Sequence, residues 1–169
     1  MTLIAPAINR VRFRSPHFNA RPGGIDAIIL HTSAGAWPGD AAWLCNPASK
    51  VSYHYLIAPS GTIYELVDPQ HRAWHAGASS LAGRGDCNDY SIGVSISHRD
   101  ANPALAAQYY ACGRLLDYLM ATYHVTPSRV ASHRLVATPR GRKTDPTDAL
   151  LNTEIEIASF VAAVLGARP

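Results

Sequence analysis

The feature that most constrains the fold is a mainly apolar run at residues 25–31, which follows a Pro-Gly-Gly turn. A strand whose successive residues are nearly all apolar is buried on both faces, as in the centre of a covered sheet. Residues 91–97 form a second apolar segment of this kind. The chain is therefore predicted to build its core around a central sheet.

Further strands and helices are predicted around these two segments. Residues 51–58 and 62–67 are separated by Pro59-Ser60-Gly61, which indicates a hairpin. A short strand is expected at residues 130–133. Predicted helices cover residues 40–44, 102–123 and a final segment that opens with a capping box at Thr153 and Glu156. The loose alternation of strands and helices predicts an α/β fold, a single mixed β-sheet flanked by helices on its faces.

The length of 169 residues fits one domain. We expect a single domain over residues 1–169, with an irregular, proline-containing N-terminal arm at residues 1–24 and a core at residues 25–165. Residues 68–89 carry many Gly, Ser, Asp and Asn residues and read as a long surface loop. Loops of this length in compact domains are usually functional.

Composition excludes several classes of protein. A net charge of +3 and a pI near 8.9 suit an anionic polymer but are too diffuse for a nucleic-acid partner. Three scattered cysteines argue against a disulfide framework. No apolar run approaches the ~20 residues of a membrane span, and the first 20 residues lack the ~7–15-residue apolar core of a signal peptide. Synthesis in the cytoplasm, no membrane insertion and a monomeric state are expected.

Three potential metal ligands lie where a sheet protein would present them. His31 ends the first buried strand, His133 ends the strand at 130–133, and Asp145 lies in the following loop. Two imidazoles and one carboxylate can form a catalytic zinc site with a fourth position for water. The residues alone leave a structural role open, because a histidine at a strand end more often has one.

A rival metal pair is His71 and His75, whose spacing would place both rings on one face of a helix. Pro69 before the pair and Gly77 after it disfavour a helix there. No glutamate follows His71, as the zincin pattern requires.

Six short motifs occur beside the His31 strand in a characteristic order. They are VSYHY from residue 51, GTIY from 61, AWHAG from 73, CNDYSIGV from 87, SHR from 132 and GRKTDP from 141. In this order the chain resembles the zinc-type N-acetylmuramoyl-L-alanine amidases, a family that includes phage lysozyme-type enzymes, cytosolic muropeptide-recycling enzymes and peptidoglycan recognition proteins.

The resemblance implies one Zn²⁺ per chain, held by His31, His133 and Asp145. It also implies that Lys143 helps to stabilise the oxyanion and that Tyr53 lies near the metal. The expected reaction is hydrolysis of the amide between N-acetylmuramic acid and L-alanine, and the expected partners are peptidoglycan or muropeptides.

Three more residues are candidates for substrate binding. Trp74 and His75 lie in the long loop, where they would line a groove for sugar or peptide. Arg142 would pair with stem-peptide carboxylates, since arginine binds such groups in a bidentate manner.

One position departs from the recycling-type pattern. Those enzymes carry a glutamate where this chain has Ser95. The absent carboxylate favours a phage-type lysin that acts on the cell wall after release. Two alternatives stay open, namely a cytosolic anhydro-muropeptide recycling amidase and a non-catalytic peptidoglycan-binding module.

Overall fold

The computed structural model describes residues 5–98, 104–146, 151 and 153–166. The strands are β1 (Ile8–Asn9), β2 (Phe18–Ala20), β3 (Ala27–Thr32), β4 (Tyr55–Ile57), β5 (Ile63–Glu65), β6 (His71–Ala73), β7 (Ser80–Leu81), β8 (Arg84–Gly85), β9 (Ser91–Ile96) and β10 (Val130–Ser132). The α-helices are α1 (Gly39–Leu44), α2 (Ala106–Tyr123), α3 (His133–Val136) and α4 (Glu154–Gly166). No described helix is both long and apolar enough to cross a bilayer.

The centre of the molecule is a six-stranded mixed sheet in the order β1-β5-β4-β9-β3-β10. Strand β3 pairs in parallel with β9 and β10, and β9 pairs in parallel with β4. Strand β5 runs antiparallel to β4, which confirms the predicted hairpin. The single mixed sheet flanked by helices is confirmed.

The two faces of the sheet have different coverings because alternate residues of a strand point to opposite sides. Ile28 and Leu30 of β3 pack with apolar residues of α2 and α4 in the largest core cluster. Ala27 and Ile29 face the other way and pack with residues of the 68–90 segment and α3. His31 shares this second face, so the face turned away from α2 and α4 carries the candidate metal ligand.

The N-terminal arm is more regular than predicted. Strand β1 pairs with β5 at the sheet edge, and β2 pairs with β6 in a separate two-stranded sheet. These strands have two and three residues, too few to produce a recognisable alternation. The expectation of an irregular arm is therefore wrong for residues 8–9 and 18–20, whose conformation depends on the strands they join.

Three helix boundaries refine the sequence analysis. Helix α2 begins at Ala106, and the predicted start at residues 102–103 lies outside the described residues. The capping box of α4 is confirmed, because Thr153 and Glu156 exchange side-chain-to-backbone hydrogen bonds of 3.2 and 2.8 Å. His133 does not end a strand but begins α3, whose first turn is capped by the Ser132 hydroxyl.

Candidate metal site

Three side chains from distant parts of the sequence meet at the carboxyl end of the parallel strands. Nδ1 of His31 and Nδ1 of His133 each lie 3.1 Å from Oδ2 of Asp145. One ligand atom from each residue lies within 4.8 Å of the others. Within the described part of the chain, this is the one such group of three His, Cys, Asp or Glu residues. The carboxyl end is where open α/β sheets usually bind their ligands.

His133 and Asp145 are placed by backbone contacts of the loops that carry them. Nε2 of His133 lies 3.0 Å from the Ala76 carbonyl, which can only accept a hydrogen bond. Nε2 of the neutral ring therefore carries the proton, and Nδ1 presents a lone pair toward Asp145. The Asp145 carbonyl accepts a 2.8 Å hydrogen bond from the Arg134 amide, which ties the ligand loop to the start of α3.

The donor set fits a zinc ion. An imidazole nitrogen with a free lone pair and a carboxylate oxygen are both acceptors, so they repel at about 3 Å unless a cation or proton lies between them. Two imidazoles and one carboxylate are ligands that zinc accepts in catalytic sites, where a fourth position stays open.

Burial keeps two histidine rings at the site, His31 and His75, neutral. Burial lowers the pKa of His31 to about 4, and it holds the pKa of His75 well below 6.5. For Asp145, burial would raise the pKa, but the contacts with His133 and His31 outweigh burial, so the pKa lies below its usual range. Neutral imidazoles and an ionised carboxylate are the protonation states that metal binding requires.

Tyr53 lies against the metal site. Its ring centroid is 4.8 Å from that of His31. Burial and the nearby Asp145 charge raise the pKa of the phenol above its usual value of 10. Tyr53 therefore stays protonated at neutral pH and can donate a hydrogen bond, but it is a poor base.

Ser95 occupies the sheet position next to the metal ligand. It is the register partner of His31 in the parallel β3–β9 pair, and its side chain is buried beside the Tyr53 phenol. Among the described residues its hydroxyl has no hydrogen-bond partner of normal geometry. The position where recycling-type enzymes carry a glutamate therefore adjoins the site but holds no carboxylate.

Lys143 is exposed in the loop that carries Asp145. Its positive charge is close enough to the site to contribute to the lowered pKa of His31, although burial contributes more. The structure therefore brings Lys143 and Tyr53 together with the three predicted ligands.

The predicted substrate-binding residues are engaged within the protein. His75 is buried, and its ring nitrogens face His31 at 3.1 Å and Ser91 at 3.3 Å. The Trp74 indole donates a hydrogen bond to Asn19. The Arg142 guanidinium donates hydrogen bonds to the carbonyls at residues 76, 78 and 138. His75 is thus a poor candidate for substrate contact, while the half-buried Trp74 and exposed Arg142 remain predictions.

The rival pair of His71 and His75 does not form a helical motif. His71 lies in strand β6, and its ring packs against Phe18 with centroids 4.7 Å apart. His75 instead faces His31. The proline and glycine that flank this segment are consistent with its extended conformation.

Sequence reasoning missed the residues that hold the 68–91 segment in place. Arg21, from the N-terminal arm, donates hydrogen bonds to five backbone carbonyls, those of residues 69, 71, 88, 89 and 91. Oδ1 of Asn88 accepts from the amides of His75 and Ala76 at 3.0 and 2.8 Å. Asn88 lies within the CNDYSIGV motif, and this was the one sequence feature that could have identified it as important.

Comparison with known proteins gives the family. The model of the Amidase_2 family, N-acetylmuramoyl-L-alanine amidase, matches residues 19–148. The chain belongs to the N-acetylmuramoyl-L-alanine amidase family. Like its relatives, this amidase is an enzyme that cleaves the amide between N-acetylmuramic acid and L-alanine, and zinc dependence is general in the family.

Individual members of the amidase family match most of the chain. The 1,6-anhydro-N-acetylmuramyl-L-alanine amidase AmpD of Haemophilus influenzae is 37% identical over 156 residues, which cover 80% of this chain and 84% of the relative. A complex of AmiD from E. coli with anhydro-N-acetylmuramic acid-L-Ala-D-gamma-Glu-L-Lys has a TM-score of 0.70 at 29% identity, covering 84% of this amidase and 60% of AmiD. A mutant endolysin from Bacillus subtilis has a TM-score of 0.68 at 26% identity, covering 92% and 98% of the two chains.

Proposed function

We propose that this amidase is a zinc enzyme of muropeptide recycling, which hydrolyses the bond between anhydro-N-acetylmuramic acid and L-alanine in small soluble muropeptides. The observation that carries the zinc assignment is the convergence of two imidazole nitrogens on one carboxylate oxygen, each at 3.1 Å. Zinc held by His31, His133 and Asp145 would lower the pKa of a water ligand to about 7 and polarise the scissile carbonyl.

The side chains around the site supply hydrogen-bond donors. Hydrolysis adds water to the lactyl carbonyl, breaks its bond to the alanine nitrogen and leaves a carboxylate and a free amine. The carbonyl oxygen gains negative charge before the C–N bond breaks, and donors aimed at it stabilise that charge. The protonated phenol of Tyr53 and the ammonium group of Lys143 are both donors near the ligands.

The comparisons favour the recycling role over the lysin that Ser95 suggested. The AmpD relative is named for the 1,6-anhydro sugar and matches four fifths of both chains, whereas the endolysin is less identical to this amidase. Ser95 therefore indicates a different arrangement of catalytic groups within the recycling type. The endolysin similarity keeps hydrolysis of intact wall as a second candidate function, because its structure matches 92% of the chain.

Side-by-side hydrolysis assays test this proposal. Purified amidase is given either an anhydro-muramoyl tripeptide or intact peptidoglycan, and newly formed L-alanine amino groups are counted. We expect rapid release from the anhydro-muramoyl peptide, slow release from intact wall, and loss of both after zinc is chelated. Faster release from intact wall would assign the lysin role instead.

A matched pair of histidine substitutions tests the ligands. His133→Asn replaces a proposed ligand by an amide, whose carbonyl oxygen suits harder metal ions than zinc. His124→Asn is the control, because His124 is exposed and its φ of 56° is one that asparagine tolerates. We expect His133→Asn alone to lose zinc and activity. A His133→Asn protein that keeps stoichiometric zinc would refute the ligand set. Zinc-loaded wild type that hydrolyses neither substrate would refute the enzymatic function and indicate a peptidoglycan-binding module.

A further inference from the structure

A line of hydrogen bonds connects the candidate metal site to the backbone carbonyl of Cys87 on the same face of the sheet. Nε2 of His31 lies 3.1 Å from Nδ1 of His75, and Nε2 of His75 lies 3.3 Å from Oγ of Ser91. The Ser91 hydroxyl lies 2.5 Å from the Cys87 carbonyl oxygen. All three side chains are buried, so water does not offer them alternative partners.

Each hydrogen in this line can be assigned from the carbonyl at its end. The Cys87 carbonyl can only accept, so the single Ser91 proton points to it. Oγ of Ser91 must then accept from His75, which places the proton of that neutral ring on Nε2. Nδ1 of His75 is then a hydrogen-bond acceptor. It must accept from the N–H at Nε2 of His31, so the proton of the neutral His31 ring is on Nε2.

From this assignment we propose that His75 is a positioning residue for the metal, not a substrate ligand, and that Ser91 and His75 together fix the tautomer of His31. With its proton held on Nε2, His31 presents the Nδ1 lone pair to the site before any metal arrives. A metal-binding histidine usually donates its other N–H to a carbonyl, carboxylate or water. Here a second imidazole takes that place, and a serine in turn sets its tautomer. The inference rests on the zinc site of the proposed function.

The surrounding backbone is shaped to hold the His75 ring in this position. A Cβ at Gly93 would lie 2.5 Å from the ring, so only glycine lets His75 lie flat on strand β9. The two hydrogen bonds that Asn88 accepts from the amides of His75 and Ala76 fix the backbone that carries the ring. The ring therefore has little freedom to turn away from His31.

Zinc affinity is the measurement that tests this role, because a contact with substrate would leave it unchanged. The dissociation constant is measured for the full chain by competition with a chromogenic chelator. Ser91→Ala removes the oxygen that accepts from His75, so either nitrogen of the His75 ring can carry the proton. The loss of one such hydrogen bond should weaken zinc binding about 5-fold. Ser97→Ala is the matched control, since Ser97 is equally buried just past the same strand and its hydroxyl has no partner among the described residues. It should bind zinc as the wild type does.

Two substitutions of His75 separate the hydrogen bond from the packing. His75→Leu leaves the His31 N–H without an acceptor and should weaken zinc binding ~10- to 100-fold. His75→Asn can place its amide oxygen where Nδ1 lies and should recover most of that loss. Equal zinc affinities for Ser91→Ala and Ser97→Ala, or for His75→Asn and His75→Leu, would overturn the inference.

The tautomers can also be read directly. Two-bond ¹H–¹⁵N correlation spectra of the zinc-free chain distinguish an imidazole protonated at Nδ1 from one protonated at Nε2. We expect the Nε2–H form for both His31 and His75 in the wild type, and a mixture in Ser91→Ala. An Nδ1–H form of His75 in the wild type would refute the assignment. Wild-type protein that binds no zinc would instead count against the proposed function.

Discussion

Removing the buried His54 should make the stability of this amidase less sensitive to acid. The His54 ring is fully buried, and its Nδ1 accepts a 2.9 Å hydrogen bond from the Gly93 amide. The proton of the neutral ring is therefore on Nε2, which donates to the His71 carbonyl at 3.0 Å. Burial, with the Arg21 charge as a second cause, lowers the pKa of His54 from 6.5 to about 3.

The sign and the size of the effect follow from this pKa. A folded-state pKa below the unfolded one means that the unfolded chain binds the proton first. The stability from a neutral His54 is thus fully present above pH 6.5 and is lost as the pH falls toward 3. Each pH unit in that window costs about 1.4 kcal/mol. Between pH 7 and pH 5, His54 alone should lower the free energy of unfolding by about 2 kcal/mol.

Urea unfolding at pH 7 and pH 5, followed by tryptophan fluorescence, measures this difference. A chelator is present throughout, so that zinc binding adds no pH dependence of its own. His54→Asn keeps an acceptor for the Gly93 amide but does not titrate, so its free energy of unfolding should fall by about 2 kcal/mol less than that of the wild type. Equal losses in the two proteins would show that His54 is not held neutral by burial.

Three further substitutions test other parts of the structure. Tyr53→Phe should lower kcat ~100- to 1000-fold with zinc affinity unchanged if the phenol donates to the oxyanion; activity within a few-fold of the wild type would exclude that role. Gly93→Ala should lower the free energy of unfolding, measured in urea, by about 1–3 kcal/mol, because the added Cβ would overlap the His75 ring. An unchanged free energy of unfolding would mean that the ring can move. Arg21→Lys should destabilise the fold by about 3 kcal/mol, since one ammonium group cannot reach five carbonyls; hydrogen exchange should then rise first at residues 68–91 rather than in α2.

The strands and helices with the clearest sequence patterns could be predicted because those patterns are local. A mainly apolar run predicts a strand covered on both faces, and β3 and β9 are adjacent strands in the interior of the sheet, each paired on both sides. The turn at 59–61 predicts the β4–β5 hairpin, and the Thr153 capping box predicts the start of α4. The three ligands were identified by their order among family motifs, since a histidine at a strand end has no signature of its own.

The tertiary structure decided which side chains meet. His75 and Ser91 are sixteen residues apart, and Arg21 contacts carbonyls up to 70 residues away. No periodicity in the sequence encodes such contacts, so His75 reads as an exposed loop residue although it lies buried against His31. The interior strands of the sheet and the chemistry of the ligands could be predicted from sequence, because both depend on residue type and local pattern. Only the packing of the 68–91 segment on the sheet decided the partners of each imidazole, because a buried proton goes to whichever acceptor the fold places beside it.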